Sequence, residues 1–270
     1  MCTRTAAGGH GTPATPPAPS PVPADRVARS DRSDRSDHAD RADRADRAFD
    51  AVLCDLDNVV RFYDTAPLAA LERAAGLPEG TTTDIAYAPE VDLPLLLGRI
   101  TPDAWVEAIV AGLAERRVGG DRARALARAL ADAPFRADEE AVSLLRRART
   151  HVPVVLVTNA TLQLDADLAL LGLSDLADAV VSSAVEQVAK PDPAIYRIAA
   201  ARAGVPPARC LFVDDRQENV DAATALGMTG VLFREPDDLR RALGSCAEAE
   251  KEAAAEAATA WTRTTAARPR

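Results

Sequence analysis

Short apolar runs, rich in valine and leucine, recur along the chain at 52–54, 152–157, 179–181, 211–213 and 231–233. From residue 139 onward, the stretches between these runs have the length and spacing of single helices. Strands that are apolar throughout are typical of parallel sheets covered by helices on both faces. The pattern therefore predicts an α/β fold built on a doubly wound parallel sheet.

The segment that follows the first predicted strand has a different pattern. Residues 63–135 are rich in alanine and leucine and show no strand-like alternation. Helices are predicted at 67–75, 101–117 and 121–131. The second of them begins with Thr101 as N-cap and Pro102 in the first turn. A helical block inserted directly after a strand predicts a cap subdomain over the strand ends.

The two ends of the chain differ in composition from the middle. Residues 1–48 are rich in Pro, Gly, Thr and Ala and then in Asp-Arg-Ser and Asp-Arg-Ala triplets. They bury too little apolar surface to offset the entropy of ordering, so we predict a disordered head. Residues 246–270 form an Ala/Glu-rich tail, which we predict to be a frayed helix. The predicted core domain is then 49–62 and 136–245, with the cap of 63–135 inserted in it.

Composition and charge narrow the classes of partner. The 270 residues carry a formal net charge of -9 and a pI near 5.0, which argues against a nucleic-acid partner. No run of about 18 apolar residues is present, and the opening residues lack the apolar region of a signal peptide. We therefore expect a cytoplasmic protein without a membrane partner. The cysteines show no CxxC spacing, which favours reduced thiols over a zinc site. The oligomeric state is left open.

Polar side chains lie at the carboxyl ends of several predicted strands and in one loop between them. They are Asp55, Asp57, Thr158, Asn159, Lys190, Asp214 and Asp215. Each has a plainer interpretation, since Asp, Asn and Thr are common in turns and caps, and lysine is common in exposed loops. In a parallel sheet, however, the carboxyl ends of the strands lie at one edge, where residues distant in sequence converge. The joint pattern favours a site.

The residue types favour phosphate chemistry with a hard cation. Carboxylates together with a lysine and a threonine, without a histidine cluster, suit Mg²⁺ and a phosphate group. Asp55 is the candidate nucleophile, which would form an acyl phosphate. Asp57 lies two residues on, on the same side of an extended strand end, and is the candidate general acid and base.

The other polar positions are assigned to phosphate and metal. Thr158, Asn159 and Lys190 are the candidate phosphate-binding residues, because donors and positive charge stabilise the transferring phosphoryl group. Asp215, with Asp214 beside it, is predicted to complete the metal site.

These segments resemble the four motifs of the haloacid dehalogenase-like hydrolases, in the branch with a helical C1 cap after the first motif. The matching segments are Asp-Leu-Asp at 55–57, Leu-Val-Thr-Asn at 156–159, Lys-Pro-Asp-Pro at 190–193 and Phe-Val-Asp-Asp at 212–215. The resemblance covers about residues 49–234 and implies a Rossmann-like core, Mg²⁺ dependence and an aspartyl-phosphate intermediate. It also implies that Asp57 gives its backbone carbonyl to the metal, while Asp55 and Asp215 give carboxylates. Asp214 is then expected to reach the metal through water.

Two residues depart from the pattern of that family. Asn58 stands where glycine is common, and asparagine tolerates the left-handed backbone conformation that glycine would otherwise supply. Gln187 stands in the loop before Lys190, where relatives frequently have glycine. The geometry of both loops is therefore a point that only a structure decides.

The expected function is that of an Mg²⁺-dependent phosphatase acting on a small phosphorylated metabolite. The alternatives are a phosphomutase, a dehalogenase-like hydrolase of the same family, and a non-catalytic regulatory or binding protein on the same fold. Asp57 argues against a dehalogenase, because a halide leaving group needs no proton. A phosphonate hydrolase would need a cap lysine, and none lies between Phe49 and Ala189. Arg61, Tyr63 and Arg99 are candidate substrate contacts, whereas Trp105 is expected in the cap core.

Overall fold

The computed structural model describes residues 48–244. The predicted disordered head and the predicted frayed tail lie outside the described residues, apart from Ala48. In chain order the elements are β1 (Ala51–Cys54), β2 (Arg61–Tyr63), α1 (Ala66–Ala74), α2 (Thr81–Ala86), α3 (Pro89–Leu96), α4 (Pro102–Glu115), α5 (Gly120–Ala131), β3 (Phe135–Ala137), α6 (Glu139–Arg149), β4 (Val154–Thr158), α7 (Leu164–Leu170), β5 (Ala179–Ser182), α8 (Ser183–Glu186), α9 (Pro193–Ala203), β6 (Cys210–Asp214), α10 (Gln217–Ala225) and β7 (Thr229–Leu232). Residues 236–244 are again helical.

A five-stranded sheet with the order β5-β4-β1-β6-β7 forms the centre of the fold. Every neighbouring pair in it is parallel. The strand order places β1 in the middle, between β4 and β6, so the residues that follow these three strands lie side by side. The α/β fold with a doubly wound parallel sheet is confirmed.

The central strand is buried on both faces, as its unbroken apolar sequence requires. Val52 and Cys54 pack into one apolar cluster with α6 and α7, while Ala51 and Leu53 pack into another with α9. All four side chains are fully buried. This burial fixes the carboxyl end of β1 in the interior of the molecule.

The helices α1 to α5 share an apolar cluster of their own, centred on Ile109, Leu113 and Leu126. Trp105 belongs to this cluster, and its indole Nε1 donates a hydrogen bond to the carbonyl of Ala86 at 3.3 Å. Its position inside the helical block agrees with the sequence-based expectation. The division of the chain into a core domain and a cap at the stated boundaries stays a prediction.

The sequence pattern missed the helices α2 and α3. The six-residue α2 follows Gly80, and buried Glu72 stabilises its start by accepting hydrogen bonds from the N–H groups of Gly80 and Thr82, at 2.8 and 2.6 Å. The eight-residue α3 contains an internal proline, Pro94. Both helices therefore depend on tertiary contacts that local periodicity does not report.

The sequence pattern also missed a two-stranded antiparallel sheet. β2 pairs with β3, with Arg61 opposite Ala137 and Tyr63 opposite Phe135. The chain leaves the large sheet through β2 and returns through β3, so this pair connects the helical block to the rest of the fold. Strands of three residues carry no readable alternation, and their pairing is a long-range event. None of the helices within residues 48–244 is long and apolar enough to cross a membrane.

Candidate active site

Asp55 follows the last residue of β1 and lies in the interior. Its backbone N–H donates to the carbonyl of Val213 at 2.9 Å, which continues the pairing of β1 with β6. Its side chain is 7 % exposed, and Oδ1 accepts a hydrogen bond from the N–H of Leu56 at 2.7 Å. The direction of the carboxylate is thus set by the backbone of its own turn.

Lys190 reaches the same point from the loop before α9. Its Nζ lies 2.7 Å from Asp55 Oδ1 and 2.7 Å from Asp214 Oδ2, and all three side chains are buried. Asp192, two residues later, caps α9 by accepting from the N–H of Ala194 at 2.8 Å, which fixes the end of this loop. The lysine is therefore an internal counter-ion between two carboxylates.

The carboxylates of Asp55, Asp214 and Asp215 form one cluster, with an oxygen from each lying within 4.8 Å of the others. Three carboxylates and the ammonium of Lys190 leave a net charge of about -2 at this point when all are ionised. Oxygen ligands and this charge fit a divalent hard cation such as Mg²⁺. The donor set therefore suits the metal that the sequence predicts.

The two acids at the end of β6 have different surroundings, since Asp214 is its last residue and Asp215 follows it. Asp214 is fully buried and accepts from Lys190 Nζ, from the N–H of Arg216 at 2.9 Å and from Asn219 Nδ2 at 2.8 Å. Asp215 is half-buried and accepts from Asn58 Nδ2 at 2.9 Å. Asp214 is thus committed to internal hydrogen bonds, while Asp215 faces the more open side.

The electrostatics follow from burial. Desolvation raises the pKa of Asp55 to about 8, since it outweighs the attraction of Lys190, and the charge of Asp214 adds to the rise. The pKa of Lys190 is also raised, because Asp55 and Asp214 outweigh the effect of its burial. Burial raises the pKa of Asp215 as well, against the hydrogen bond from Asn58. Positive charge brought next to these acids would oppose the rise in their pKa values.

Thr158 is the last residue of β4, and Asn159 follows it at the same edge of the sheet. The hydroxyl of Thr158 is buried and has no hydrogen-bond partner among the described residues. The amide of Asn159 bonds to the backbone of Lys190 in both directions, with Nδ2 to the carbonyl at 3.0 Å and the N–H to Oδ1 at 2.8 Å. Asn159 thus holds the lysine loop, whereas Thr158 has a donor left unused in the interior.

Asp57 is bound by an arginine that the sequence did not connect with it. Arg61 donates from Nε to Asp57 Oδ1 at 2.6 Å and from Nη2 to Asp57 Oδ2 at 3.0 Å. Its third nitrogen, Nη1, donates to Asp167 Oδ2 at 2.8 Å. Burial disfavours the guanidinium cation, but its hydrogen bonds and charge attraction to Asp57, together with Asp167, raise the pKa of Arg61. Arg61 is therefore a fully engaged cation beside the site.

The residues that depart from the family pattern adopt left-handed conformations. Asn58 has φ of 61° and Gln187 has φ of 55°. Asparagine therefore supplies the backbone conformation expected of it at the turn after Asp57. Its amide also contacts Asp215, which a glycine at this position would not do.

Tyr63 and Arg99 are both exposed, Tyr63 on β2 beside Arg61 and Arg99 just after α3. An added β-carbon at Gly98 would lie 3.0 Å from the carbonyl oxygen of Ala184, so this part of the helical block closely approaches α8, directly after β5. The roles of both residues as substrate contacts stay predictions. The contacts of Asn219 with Asp214 and of Asp167 with Arg61 were not predicted, because both residues reach these partners from helices.

Comparison with known proteins agrees with the motif resemblance. A family model described as haloacid dehalogenase-like hydrolase matches residues 49–227. Flavin mononucleotide hydrolase 1 of Arabidopsis thaliana is 43 % identical over 54 residues, which cover 20 % of this chain and 22 % of that protein. Phosphatase MT3486 of Mycobacterium tuberculosis is 38 % identical over 86 residues, which cover 31 % of this chain and 40 % of that protein. The matches thus span less than half the length of these two relatives.

A solved structure supports the fold. A HAD family enzyme from Bacteroides thetaiotaomicron, in complex with magnesium and inorganic phosphate, superposes with a TM-score of 0.53 at 19 % identity, over 69 % of this chain and 94 % of that one. At this identity the likeness concerns the fold alone. The family model covers more than half of the chain. The chain therefore belongs to the haloacid dehalogenase-like hydrolases and is a hydrolase with phosphatases among its relatives.

Proposed function

We propose that the protein is an Mg²⁺-dependent phosphatase that hydrolyses a small phosphate monoester through an aspartyl phosphate on Asp55. The observation that carries the proposal is the contact of Asp55 Oδ1 with Lys190 Nζ at 2.7 Å in a buried site. At the carboxyl end of the neighbouring strand β4, the hydroxyl of Thr158 is buried with no hydrogen-bond partner among the described residues. A buried carboxylate beside a fixed cation, with an unused donor on the neighbouring strand, suits the transfer of a charged phosphoryl group. The phosphatases among the relatives support the same reaction class.

The first step would be attack by the Asp55 carboxylate on phosphorus. Both contacts described for this carboxylate fall on Oδ1, so we expect Oδ2 to attack. A bond forms between Oδ2 and phosphorus, and the bond from phosphorus to the leaving oxygen breaks. Asp57 donates its proton to that oxygen, which leaves as an alcohol.

The second step would regenerate the enzyme. Asp57, now a carboxylate, takes a proton from a water molecule as the water oxygen attacks phosphorus. The bond between phosphorus and Asp55 breaks, and inorganic phosphate leaves with the carboxylate restored. Lys190 and Thr158 are assigned to the phosphoryl oxygens in both steps, and Asn159 acts by fixing the backbone of Lys190.

The residues assigned to Mg²⁺ are Asp55 and Asp215 through their carboxylates and Asp57 through its backbone carbonyl, with Asp214 behind them. The exposed side of Asp215 and the complete set of internal hydrogen bonds on Asp214 support this order. The metal would supply positive charge that offsets the cluster of acids and the incoming phosphate. The helical block of 63–135 is assigned the role of a cap over this edge.

The test is turnover of an aryl phosphate by the purified protein with Mg²⁺. We expect hydrolysis that is lost on removal of the metal with a chelator and lost in Asp55→Asn, because an amide is a far weaker nucleophile than a carboxylate. Asp57→Asn should slow alkyl phosphates by roughly 100-fold or more and activated aryl phosphates much less, since a good leaving group needs little protonation. Absence of turnover over a broad panel of phosphate esters would refute the proposal. If Asp57→Asn lowered the rates for alkyl and aryl phosphates equally, Asp57 would not be the general acid.

A further inference from the structure

Arg61 is an internal cation whose contacts go to acids and aromatic rings. Its side chain is 3 % exposed, while Asp57 and Asp167 are 30 % and 24 % exposed. The guanidinium carbon lies 5.1 Å from the ring centre of Tyr63 and 5.4 Å from that of Phe135. These two rings pack edge to face at 5.6 Å. The two rings thus pack against the guanidinium, and the two carboxylates fix the direction of its N–H groups.

The backbone places Arg61 next to Asp57. The N–H of Asn58 donates to the carbonyl of Arg61, and the N–H of Arg61 donates to the carbonyl of Leu56, both at 2.8 Å. These bonds close a tight loop over residues 56–61, which brings side chains four positions apart onto the same side. The pairing of β2 with β3 then brings Phe135 beneath the guanidinium. The loop of residues 56–61, β2 and β3 therefore all help to set the position of Arg61.

This geometry differs from that of a substrate-binding arginine. All three guanidinium nitrogens already donate to carboxylates, and the side chain is almost inaccessible. The two donors on Asp57 form a parallel pair, one to each oxygen, which is the arrangement that fixes a carboxylate most firmly. These contacts favour a role for Arg61 other than the direct substrate contact that the sequence suggested, which stays a prediction.

We propose that Arg61 is a positioning residue, which together with Asp167 sets the orientation of the Asp57 carboxylate for proton transfer. The inference rests on the proposed phosphatase function, in which Asp57 is the general acid and base. A small displacement of a catalytic group costs roughly 100-fold in rate, so a fixed orientation has direct kinetic consequences. Asp167, on α7, acts on Asp57 indirectly, by holding the guanidinium of Arg61 in place.

The test compares Arg61→Met and Arg61→Lys with wild type over a series of aryl and alkyl phosphates. We expect Arg61→Met to lower kcat/KM by about 10- to 100-fold for poor leaving groups and by only a few fold for activated ones. Arg61→Lys keeps the charge but not the paired donors, so its kcat/KM for poor leaving groups should lie between the values of wild type and Arg61→Met. Asp167→Asn, which keeps an acceptor for Nη1, should cause a smaller loss of the same kind.

A double-mutant cycle separates action through Asp57 from action by another route. If Arg61 works through Asp57, Arg61→Met should change the rate with an activated aryl phosphate by less than about twofold in an Asp57→Asn background. The matched control is Arg209→Met. Arg209 makes the same paired contact with Asp50, through Nε at 3.0 Å and Nη2 at 3.1 Å, in the stretch before β1. This control should leave the dependence on the leaving group unchanged.

A crystal structure of Arg61→Met gives a readout that needs no activity. We expect Asp57 to turn from its present position or to occupy several conformations, with Asp55 and Lys190 unmoved. If Arg61→Met does not fold, the structure and kinetics of Arg61→Lys take its place. An unmoved Asp57, a loss of rate equal for all leaving groups, or full additivity with Asp57→Asn would overturn the inference. Failure of wild type to hydrolyse any phosphate would refute the proposed function, while a displaced Asp57 would still support positioning by Arg61.

Discussion

Asn58→Gly is a substitution that separates the backbone of the first-motif turn from its side chain. Asn58 has φ of 61°, and glycine adopts this conformation without strain. The substitution therefore keeps the turn and removes only the amide, whose Nδ2 donates to Asp215 at 2.9 Å. Asp215 is the more open member of the acid cluster assigned to Mg²⁺.

The expected magnitude comes from the hydrogen bond that is lost. Outer partners that orient a metal ligand typically contribute about 10- to 100-fold in metal affinity. Asn58 is exposed, so water replaces part of the lost bond, and we expect the lower end of that range. The prediction is a roughly tenfold weaker affinity for Mg²⁺, or about 1.4 kcal/mol.

The assay is calorimetric titration of the metal-free protein with Mg²⁺, supported by the shift of the melting temperature with metal concentration. Without metal, the free energy of unfolding of Asn58→Gly should lie within about 1 kcal/mol of that of wild type. Glycine removes the strain of a left-handed asparagine but adds conformational freedom to the unfolded chain, and these two effects oppose each other. Arg117→Gly is the matched control, since Arg117 has φ of 65° in the helical block and is not part of the acid cluster. Unchanged or tighter binding of Mg²⁺ by Asn58→Gly would refute the orienting role of the amide.

Two further predictions concern stability. Burial raises the pKa of Asp92 to about 6, against the attraction of Arg216 and with Tyr87 also nearby, so the folded state favours the protonated form. The contribution of Asp92 to stability is therefore fully present below about pH 4 and is lost as the pH rises through about 6. In urea unfolding, Asp92→Asn should be more stable than wild type by roughly 1 kcal/mol at pH 7.5 and equally stable near pH 4. Asp138 caps α6 by accepting hydrogen bonds from the N–H groups of Glu140 and Ala141, at 3.0 and 2.9 Å. Asp138→Ala should therefore lower the free energy of unfolding by about 1 kcal/mol. An unchanged urea midpoint would contradict this role.

The sheet was predictable because its signal is local. The strands of the large sheet coincide largely with apolar runs, and some of the helices between them begin at a capping residue, such as Asp192 before α9. The right-handed connections of parallel strands then leave few arrangements open. The sequence also indicated which polar residues follow the strands, and the structure brings Asp55, Lys190, Asp214 and Asp215 together at one edge.

The short elements were not predictable, because their stability comes from contacts between distant residues. The pairing of β2 with β3 joins residues on either side of the helical block, and α2 begins where buried Glu72 satisfies its first N–H groups. Three-residue strands and a six-residue helix are too short for their periodicity to be detected. Such elements form only when the rest of the chain has placed their partners.

The same distinction holds within the site. The sequence by itself determined the chemical inventory: paired aspartates after β1, a threonine at the end of β4, a lysine before α9 and an acid pair at the end of β6. Only the tertiary structure decided what each group touches. It turned Asn159 onto the backbone of Lys190, enclosed Asp214 in internal hydrogen bonds, and placed Arg61 between Asp57 and Asp167. Residue type fixes which reactions a group can perform, whereas partners more than a hundred positions apart, as Arg61 and Asp167 are, meet only through the packing of the whole fold.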